Sequence, residues 1–565
     1  ADNNYQSLVK NVSSDNYSWY ARTFLGRSFD LKYVRLGLTV GVEYDAKRKT
    51  GNTIEFIGLP NDYILGPVGH GRSKGTTKVS ESQNTFSMIL NPDFAVISGA
   101  AGDKYVFTPS LRPELSSVYG TKTKWDFNPS LAVRWNIYKE SFMKRLEFIN
   151  KMAIRASWGQ VVKYKATRYD VWGTYDIKPD NTYGGESYIP IDFKTLPNAQ
   201  LDPITTTSWN LGYELGLFNN RISLDVDAYY RQIDNQLSTI ATPDHSGFEE
   251  MKSTETSLVN YGLEFSLTGR PLPLQSDWDL TCNLNFAINR DVVTKLPNEA
   301  RQILNQKANI ANKLGMNTTS LLMYINKGVY ATDADVPVDP ATGKRLRVGG
   351  NDTQDAYFKA GDPIWVDMNG DYIIDEKDKV IAGNIRPKVT GGFWINLSYK
   401  NFSVHTNASF VLRRDIVNKV LADNLAAYTS PLKKKIDELR EKAALVPIDS
   451  YNFWTKEDPY NAVYPNPFDY THANVIKPFR DDQTLFIEDG SYFKINTVSL
   501  SYRFPKPWLD FFRLRSVVLK ASVNNIYTFS GYSGISPESV NGLGRDNSGG
   551  YPNSRTWTVG VTIGL

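Results

Sequence analysis

The sequence predicts an all-β protein, a transmembrane antiparallel β-barrel portion of about 15 strands with long extracellular loops. Three observations carry that prediction. Apolar and polar residues alternate with period two for longer than the roughly 5–6 residues of an ordinary strand. Aromatic rings gather near strand ends, where Trp135, Trp158, Trp209, Trp278, Tyr527 and Trp557 suit headgroup depth. Short connections alternate with long ones, as in outer-membrane barrels. Composition removes the competing classes. With 64 Lys and Arg against 60 Asp and Glu in 565 residues, the chain carries no basic surplus for nucleic acid or for a membrane surface. No apolar run approaches the roughly 18 residues of a helical span. A single Cys282 and the scattered His70, His245, His405 and His472 exclude an internal disulfide and a Cys-rich zinc site.

The strands read, in order, at residues 17–26, 33–44, 84–98, 104–115, 127–137, 151–159, 207–217, 221–231, 257–268, 277–289, 391–399, 402–411, 491–504, 515–527 and 555–565. The last shows the pattern best. Trp557, Val559, Val561, Ile563 and Leu565 share one face, and Thr556, Thr558, Gly560, Thr562 and Gly564 the other. In 207–217, Trp209, Leu211, Tyr213, Leu215 and Leu217 oppose Ser208, Asn210, Gly212, Glu214 and Gly216. A soluble β-sandwich also alternates. Fifteen long strands with a bare apolar face, however, need more covering layer than the polar segments can supply. The strands at 84–98 and 104–115 contain Pro92, Pro109 and Pro113, which predicts bulged or edge-like pairing there. Phe218-Asn219-Asn220 and Lys400-Asn401 read as tight turns, whereas 160–206, 290–390 and 412–490 are large excursions. If the C-terminus is periplasmic, every long connection falls outside the cell.

Five local readings follow. Asp367, Asn369, Asp371, Ile373, Asp375 and Asp378 occupy positions 1, 3, 5, 7, 9 and 12 of an EF-hand-type loop, which predicts Ca²⁺. Tyr372 replaces the usual turn Gly, and the alternative is an Asp-rich turn held by Asx bonds. In 160–206, Trp172, Tyr175 and Tyr183, with Tyr169 and Tyr188, could stack on sugar rings or hold peptide, or could simply glue the loop to its neighbours. Pro431 through Ala444 repeats apolar residues at helical spacing and predicts a short surface helix. Parity with Leu280, Leu284 and Phe286 turns Cys282 toward lipid as a small hydrophobe. The carboxylates Glu214, Asp225, Asp227 and Glu264 fall on the opposite, inner face and predict an ion-pair lattice. No catalytic Ser-His-Asp set, nucleotide loop or carboxylate pair stands out, so the chain is not expected to be an enzyme.

Eight strings in consistent order then resemble barrel signatures of one family. They are FNPSLAVRWNIYKESFMK (127–144), RASWGQ (155–160), NNRISLDVDAYYRQIDNQL (219–237), LVNYGLEFSL (258–267), GDPIWVDMNGDYIIDEKDKVIAG (361–383), EDGSYFKINTVSLSYRFP (488–505), YSGISPES (532–539) and GGYPNSRTWTVGVTIGL (549–565). Over most of its length the chain resembles the SusC/RagA-type TonB-dependent outer-membrane transporters of the Bacteroidetes. That resemblance implies part of a 22-stranded barrel and import of oligosaccharides or peptides with TonB-derived energy, TonB acting through a plug. It also implies a SusD-like lipoprotein lid, contact with membrane lipid and a dimeric SusCD-type assembly, with no nucleic acid partner. The alternative is a SusC-like scaffold subunit of an outer-membrane assembly or secretion complex. After RASWGQ the chain reads VVKYK (161–165) instead of the Thr-Gly-Asn usual in the family, and Leu565 stands where such barrels favour Phe. Nothing in 1–33 resembles a plug or TonB-contacting segment, so these strands are expected to be eight to twenty-two of the family's 22, the remainder coming from elsewhere.

Overall fold

The computed structural model describes the chain apart from residues 1–7, 58–71, 98–102, 118–124, 178–180, 184–185, 189–190, 274, 306–308, 319, 350–352, 430–450, 512, 547–552 and 565. The side chains of 8–9, 56–57, 72–79, 97, 168–169, 174–177, 181–183, 186–188 and 191–194 also lie outside the description. Each of the fifteen long strands read from the sequence is present: β1 Leu8–Asp30, β2 Val34–Ile57, β3 Arg72–Ile97, β4 Asp103–Ser116, β5 Trp125–Asn136, β6 Ile149–Lys163, β7 Ile204–Leu217, β8 Ile222–Ala241, β9 Glu250–Gly269, β10 Trp278–Lys295, β11 Val389–Tyr399, β12 Phe402–Leu412, β13 Tyr492–Arg503, β14 Ser516–Ser530 and β15 Thr556–Gly564. Several are longer than the alternation implied. β1, β2 and β3 run 23, 24 and 26 residues, well past the roughly 9–11 that a tilted strand needs to cross hydrocarbon.

The chain divides into two compact units. In the first, antiparallel ladders join β1 to β2, β2 to β3, β3 to β4, β4 to β5 and β5 to β6, and β6 pairs with β7. Outside these two-residue alternations the prolines leave their mark. The β3–β4 ladder carries Thr85↔Ser116, Ser87↔Glu114, Leu90↔Leu111 and Phe94↔Phe107, with gaps between them around Pro92, Pro109 and Pro113. A residue without an N–H cannot donate to the ladder, so pairing lapses there while the strands continue. In the second unit the ladders run β10 to β11 to β12 to β13 to β14 to β15. The β11–β12 hairpin closes on Tyr399↔Phe402 with Lys400 at φ 50°, and Phe218, Asn219 and Asn220 all take positive φ. Both tight turns therefore have the left-handed backbone expected of them.

Burial is inverted relative to a soluble protein. In β7, Trp209 and Leu211 are exposed while Glu214 is 5% exposed, and in β10 Thr281 and Asn283 are buried while Leu284 is exposed. Apolar side chains facing out and polar ones packed inward is the arrangement that lipid, not water, stabilises. Cys282 shares the parity of Leu284 and is partly exposed, its Sγ 3.6 Å from the Gly269 carbonyl oxygen. Among the described residues no helix is long and apolar enough to cross a membrane.

The water-type core of the second unit lies in its excursions. Described residues of segments 301–388 and 413–491 fold together: Leu321, Met323, Ile385, Val417, Leu425 and Phe486 form one cluster, and Tyr324, Leu346, Phe358, Trp365, Ile374 and Ile476 another. Helices Lys419–Ala427 and Tyr470–Ile476 belong to this core, each capped when Asn418 or Asp469 accepts from a first-turn backbone N–H. The helix expected at Pro431–Ala444 lies outside the described residues.

Candidate functional site on the inner strand face and outer loops

On the inner face of the first unit, one carboxylate collects three cations. Glu214 on β7 accepts from Arg134 of β5 at 2.6 and 2.9 Å, from Lys151 of β6 at 2.9 Å, and lies 3.5 Å from Arg155 of β6. Arg155 also reaches Asp227 of β8 at 2.5 Å. Farther along the sheet, Arg112 lies 3.1 Å from Glu43 and 3.4 Å from Glu114. Cross-strand register produces this lattice, because a two-residue period returns every second side chain to the same face, where opposite charges on adjacent strands attract. Of the four predicted carboxylates, Glu214 and Asp227 form this lattice, whereas Asp225 and Glu264 have no ion pair among the described residues.

Sequence reasoning missed Glu140, which sits in the connection between β5 and β6, flanked by the short 3₁₀ turns Ile137–Lys139 and Ser141–Arg145. Its carboxylate accepts from Lys104 at 2.5 Å, Tyr105 at 2.6 Å and Trp135 at 2.9 Å. These bonds, Lys104 first, hold its carboxyl down to about 2. Its only sequence signal was membership in the 127–144 signature.

The loop Asp367–Asp378, which holds the six predicted ligand positions, folds as a turn whose carboxylates accept from its own backbone. Asp367 accepts from the N–H of Gly370 at 2.7 Å and of Tyr372 at 2.8 Å, and Asp371 accepts from Ile373 N–H at 2.9 Å. Asn369 bonds Asp371 at 2.9 Å through its side-chain amide, and Asp375 accepts from Lys377 N–H at 2.8 Å. The buried Asp378 accepts from Met368 N–H at 2.9 Å and Asp375 N–H at 2.7 Å, which ties the two ends together. Tyr372 takes φ 58°, so it supplies the left-handed turn that Gly normally provides. Burial pushes the Asp378 carboxyl up, and the charges of Asp367 and Asp375 add to this against the two backbone bonds. Among the described residues no three His, Cys, Asp or Glu side chains converge as a metal-ligating group. The oxygens are turned to backbone N–H groups, the Asx arrangement.

Of the aromatic trio Trp172, Tyr175 and Tyr183, only the Trp172 side chain falls within the described residues. Trp172 ends the short helix Arg168–Trp172 with its ring exposed, while Tyr175 and Tyr183 lie in strands Thr174–Ile177 and Asn181–Tyr183 with side chains outside the description. The outer core holds other polar clusters. The side-chain oxygen of fully buried Gln483 accepts from Trp365 and Asn326, both at 2.8 Å, and its amide donates to the carbonyls of Pro478 at 2.7 Å and Arg480 at 3.0 Å. Arg480 stacks over Tyr324 at 4.5 Å, and Lys379 pairs with Asp482 at 2.7 Å. Burial alone would raise the Asp482 carboxyl, but the bonds and charges of Arg480 and Lys379 outweigh it and hold it low.

This architecture has known counterparts. The family profile "TonB dependent receptor-like, beta-barrel" matches residues 1–526. The chain is similar to TonB-dependent receptor P3 of Formosa agariphila, 26% identical over 98% of this chain and 52% of that protein. It is also similar to TonB-dependent receptor SusC of Bacteroides thetaiotaomicron, 26% identical over 82% of this chain and 42% of that protein. Among solved structures, the RagAB peptide transporter superimposes with a TM-score of 0.76 at 19% identity, covering 100% of this chain and 57% of that one. The chain thus spans about half the length of the curated relatives it matches. Inverted strands, charged inner lattice and profile match agree, and the chain belongs to the TonB-dependent receptor-like β-barrel family of the outer membrane.

Proposed function

We propose that this chain supplies barrel strands eight to twenty-two of a SusC-type importer that takes up oligosaccharides or peptides with TonB-derived energy beneath a SusD-like lipoprotein lid. The observation that carries the reading is the pairing of an apolar outward face with a charged inward one. Such a wall separates lipid from a polar conduit, and the ion pairs around Glu214 keep the conduit face ordered. The folded outer excursions supply a broad rigid surface on which a lid could seat, in a dimeric SusCD-type assembly. A plug that contacts TonB is part of this proposal, in keeping with relatives of which the chain covers 52% and 42%. Nothing in the site asks for catalysis.

Uptake of labelled oligosaccharides and peptides by cells carrying or lacking the gene, each with and without TonB, tests this reading. Loss of uptake in both deletions is expected. Normal uptake without the protein, together with its purification among assembly or secretion proteins, would instead establish the scaffold role.

We further propose that the loop Asp367–Asp378 takes up Ca²⁺, with Asp367, Asn369, Asp371, Asp375 and Asp378 supplying side-chain oxygens and Ile373 its carbonyl. The spacing supports this, as do the left-handed Tyr372 and the like-charge crowding of Asp378 that a divalent cation would relieve. The carboxylates would exchange backbone N–H partners for the ion. At Ca²⁺ one hundred times Kd, stabilisation should reach about 2.7 kcal/mol over the same protein in chelator. The Asp371→Asn variant should lose that difference in thermal unfolding; an equal response in both proteins would end the proposal.

A further inference from the structure

We propose that the inner face at the outer ends of β1, β2 and β3, walled by Tyr164 and Lys165, binds an anionic oligosaccharide, a sugar chain carrying carboxylate or sulfate groups. This rests on the importer reading above and specifies its cargo. Two adjoining cavities of about 420 and 660 Å³ share Lys47, Gln83, Tyr164 and Lys165. The register sets Ser18, Lys47 and Gln83 abreast, and Asn16, Lys49 and Glu81 abreast, on the same face as Glu43 and Asp45. Lys47 stands 13 residues beyond Val34 (47 − 34 = 13), more than the roughly 9–11 needed to cross hydrocarbon. The cavities therefore open at the mouth, on the side away from the tight β1–β2 turn, where arriving cargo is met first.

Charge decides the ligand's sign. Lys47 is taken by Asp45 at 2.7 Å, and Arg112 by Glu43 and Glu114. Lys49, Lys163 and Lys165 have no carboxylate within ion-pair distance among the described residues, and against them the lining offers one unpaired carboxylate, Glu81. A concave wall with surplus cations attracts anions. Construction decides the class. β2, at the centre of this wall, is hydrogen-bonded on both sides, so that strand offers no free edge to hold an extended peptide by its main chain. It offers hydroxyl and amide groups from Ser18, Asn16 and Gln83 that match sugar hydroxyls, beside a Tyr164 ring anchored by its hydroxyl donating to Asp126. Both lysines after β6's Trp158 and the tyrosine between them come from the VVKYK segment, the point at which the sequence leaves the family signature.

Calorimetric titration of the full polypeptide, extracted in detergent, with trigalacturonate, a sulfated galactose trisaccharide, maltotriose and triglutamate tests the site. At least one anionic trisaccharide should bind about tenfold more tightly than maltotriose and triglutamate, a difference of about 1.4 kcal/mol. That advantage should disappear when ionic strength rises from about 0.01 M to about 1 M, as the screening length falls from about 30 to 3 Å. The double variant Lys49→Gln, Lys165→Gln should also abolish it. Anionic trisaccharides binding no better than maltotriose, triglutamate matching them, or an unaffected double variant would each overturn the proposal. TonB-dependent uptake of a neutral sugar or peptide would remain intact in those cases, so the importer reading fails only by its own test.

Discussion

Leu211 and Asn210 are adjacent in β7, yet they face different solvents. Leu211 is 57% exposed on the apolar face, and Asn210 lies on the face of Glu214. Replacing Leu211 with Lys should cost about 2–4 kcal/mol if it lies near the bilayer midplane, whereas Asn210→Lys should cost well under 1. Denaturant titration of the refolded protein in lipid vesicles measures both, and equal costs would contradict the lipid-facing assignment. Glu140 gives a second residue-scale expectation. Its carboxyl is depressed from an ordinary 4.5 to about 2 by Lys104, Tyr105 and Trp135. A depressed acid contributes stability in full above its unfolded value, so the contribution is present at neutral pH and lost as pH falls from about 4.5 through about 2. Thermal unfolding of the protein and of Glu140→Gln should therefore differ at pH 7 and converge toward pH 2.

At the scale of elements, the strands and the outer excursions are held by different physics. The ladders rest on main-chain hydrogen bonds in a medium with no competing water, where an unmade bond costs several kcal/mol. The excursions rest on apolar burial around Leu321, Phe358, Trp365 and Phe486 and on the satisfied amide of Gln483. Gln483→Ala leaves the Trp365 and Asn326 donors and two carbonyls without that partner, at about 1–3 kcal/mol. Hydrogen exchange should then accelerate across 320–330, 363–366 and 478–487 while β11–β14 keep their protection. Uniform acceleration of both would show that the excursions and the ladders unfold as one.

For the whole molecule, the edge strands matter most. Among the described residues β1 has one ladder, with β2, and β15 has one ladder, with β14; the described side chains of both are almost all exposed. An unpaired edge in hydrocarbon is costly, and outer-membrane barrels avoid it by closure. On the proposed reading of these strands as eight to twenty-two of a closed barrel, β1 and β15 should each have a second hydrogen-bonded neighbour, and not one another. A structure of the whole protein with β1 laddered directly to β15 would contradict that expectation and the strand count behind it.

The sequence by itself determined the fifteen strands, the tight turns at 218–220 and 400–401 and the inverted faces, because each follows from a two-residue period and from local backbone preferences. It also determined the family, through strings such as residues 127–144 and 361–383. Tertiary structure decided what distant segments do together. The lengths of β1–β3 exceed their apolar alternation because, beyond the membrane, pairing continues without demanding an apolar face. The outer core unites described residues of 301–388 with those of 413–491, and no local pattern announces that Gln483 will meet Trp365, 118 residues away. Charge pairing was equally hidden. Glu214 meets Arg134, 80 residues away, only because β6 is laddered to both β5 and β7. Contacts between residues far apart in sequence depend on sheet register and loop packing, which are properties of the folded chain as a whole.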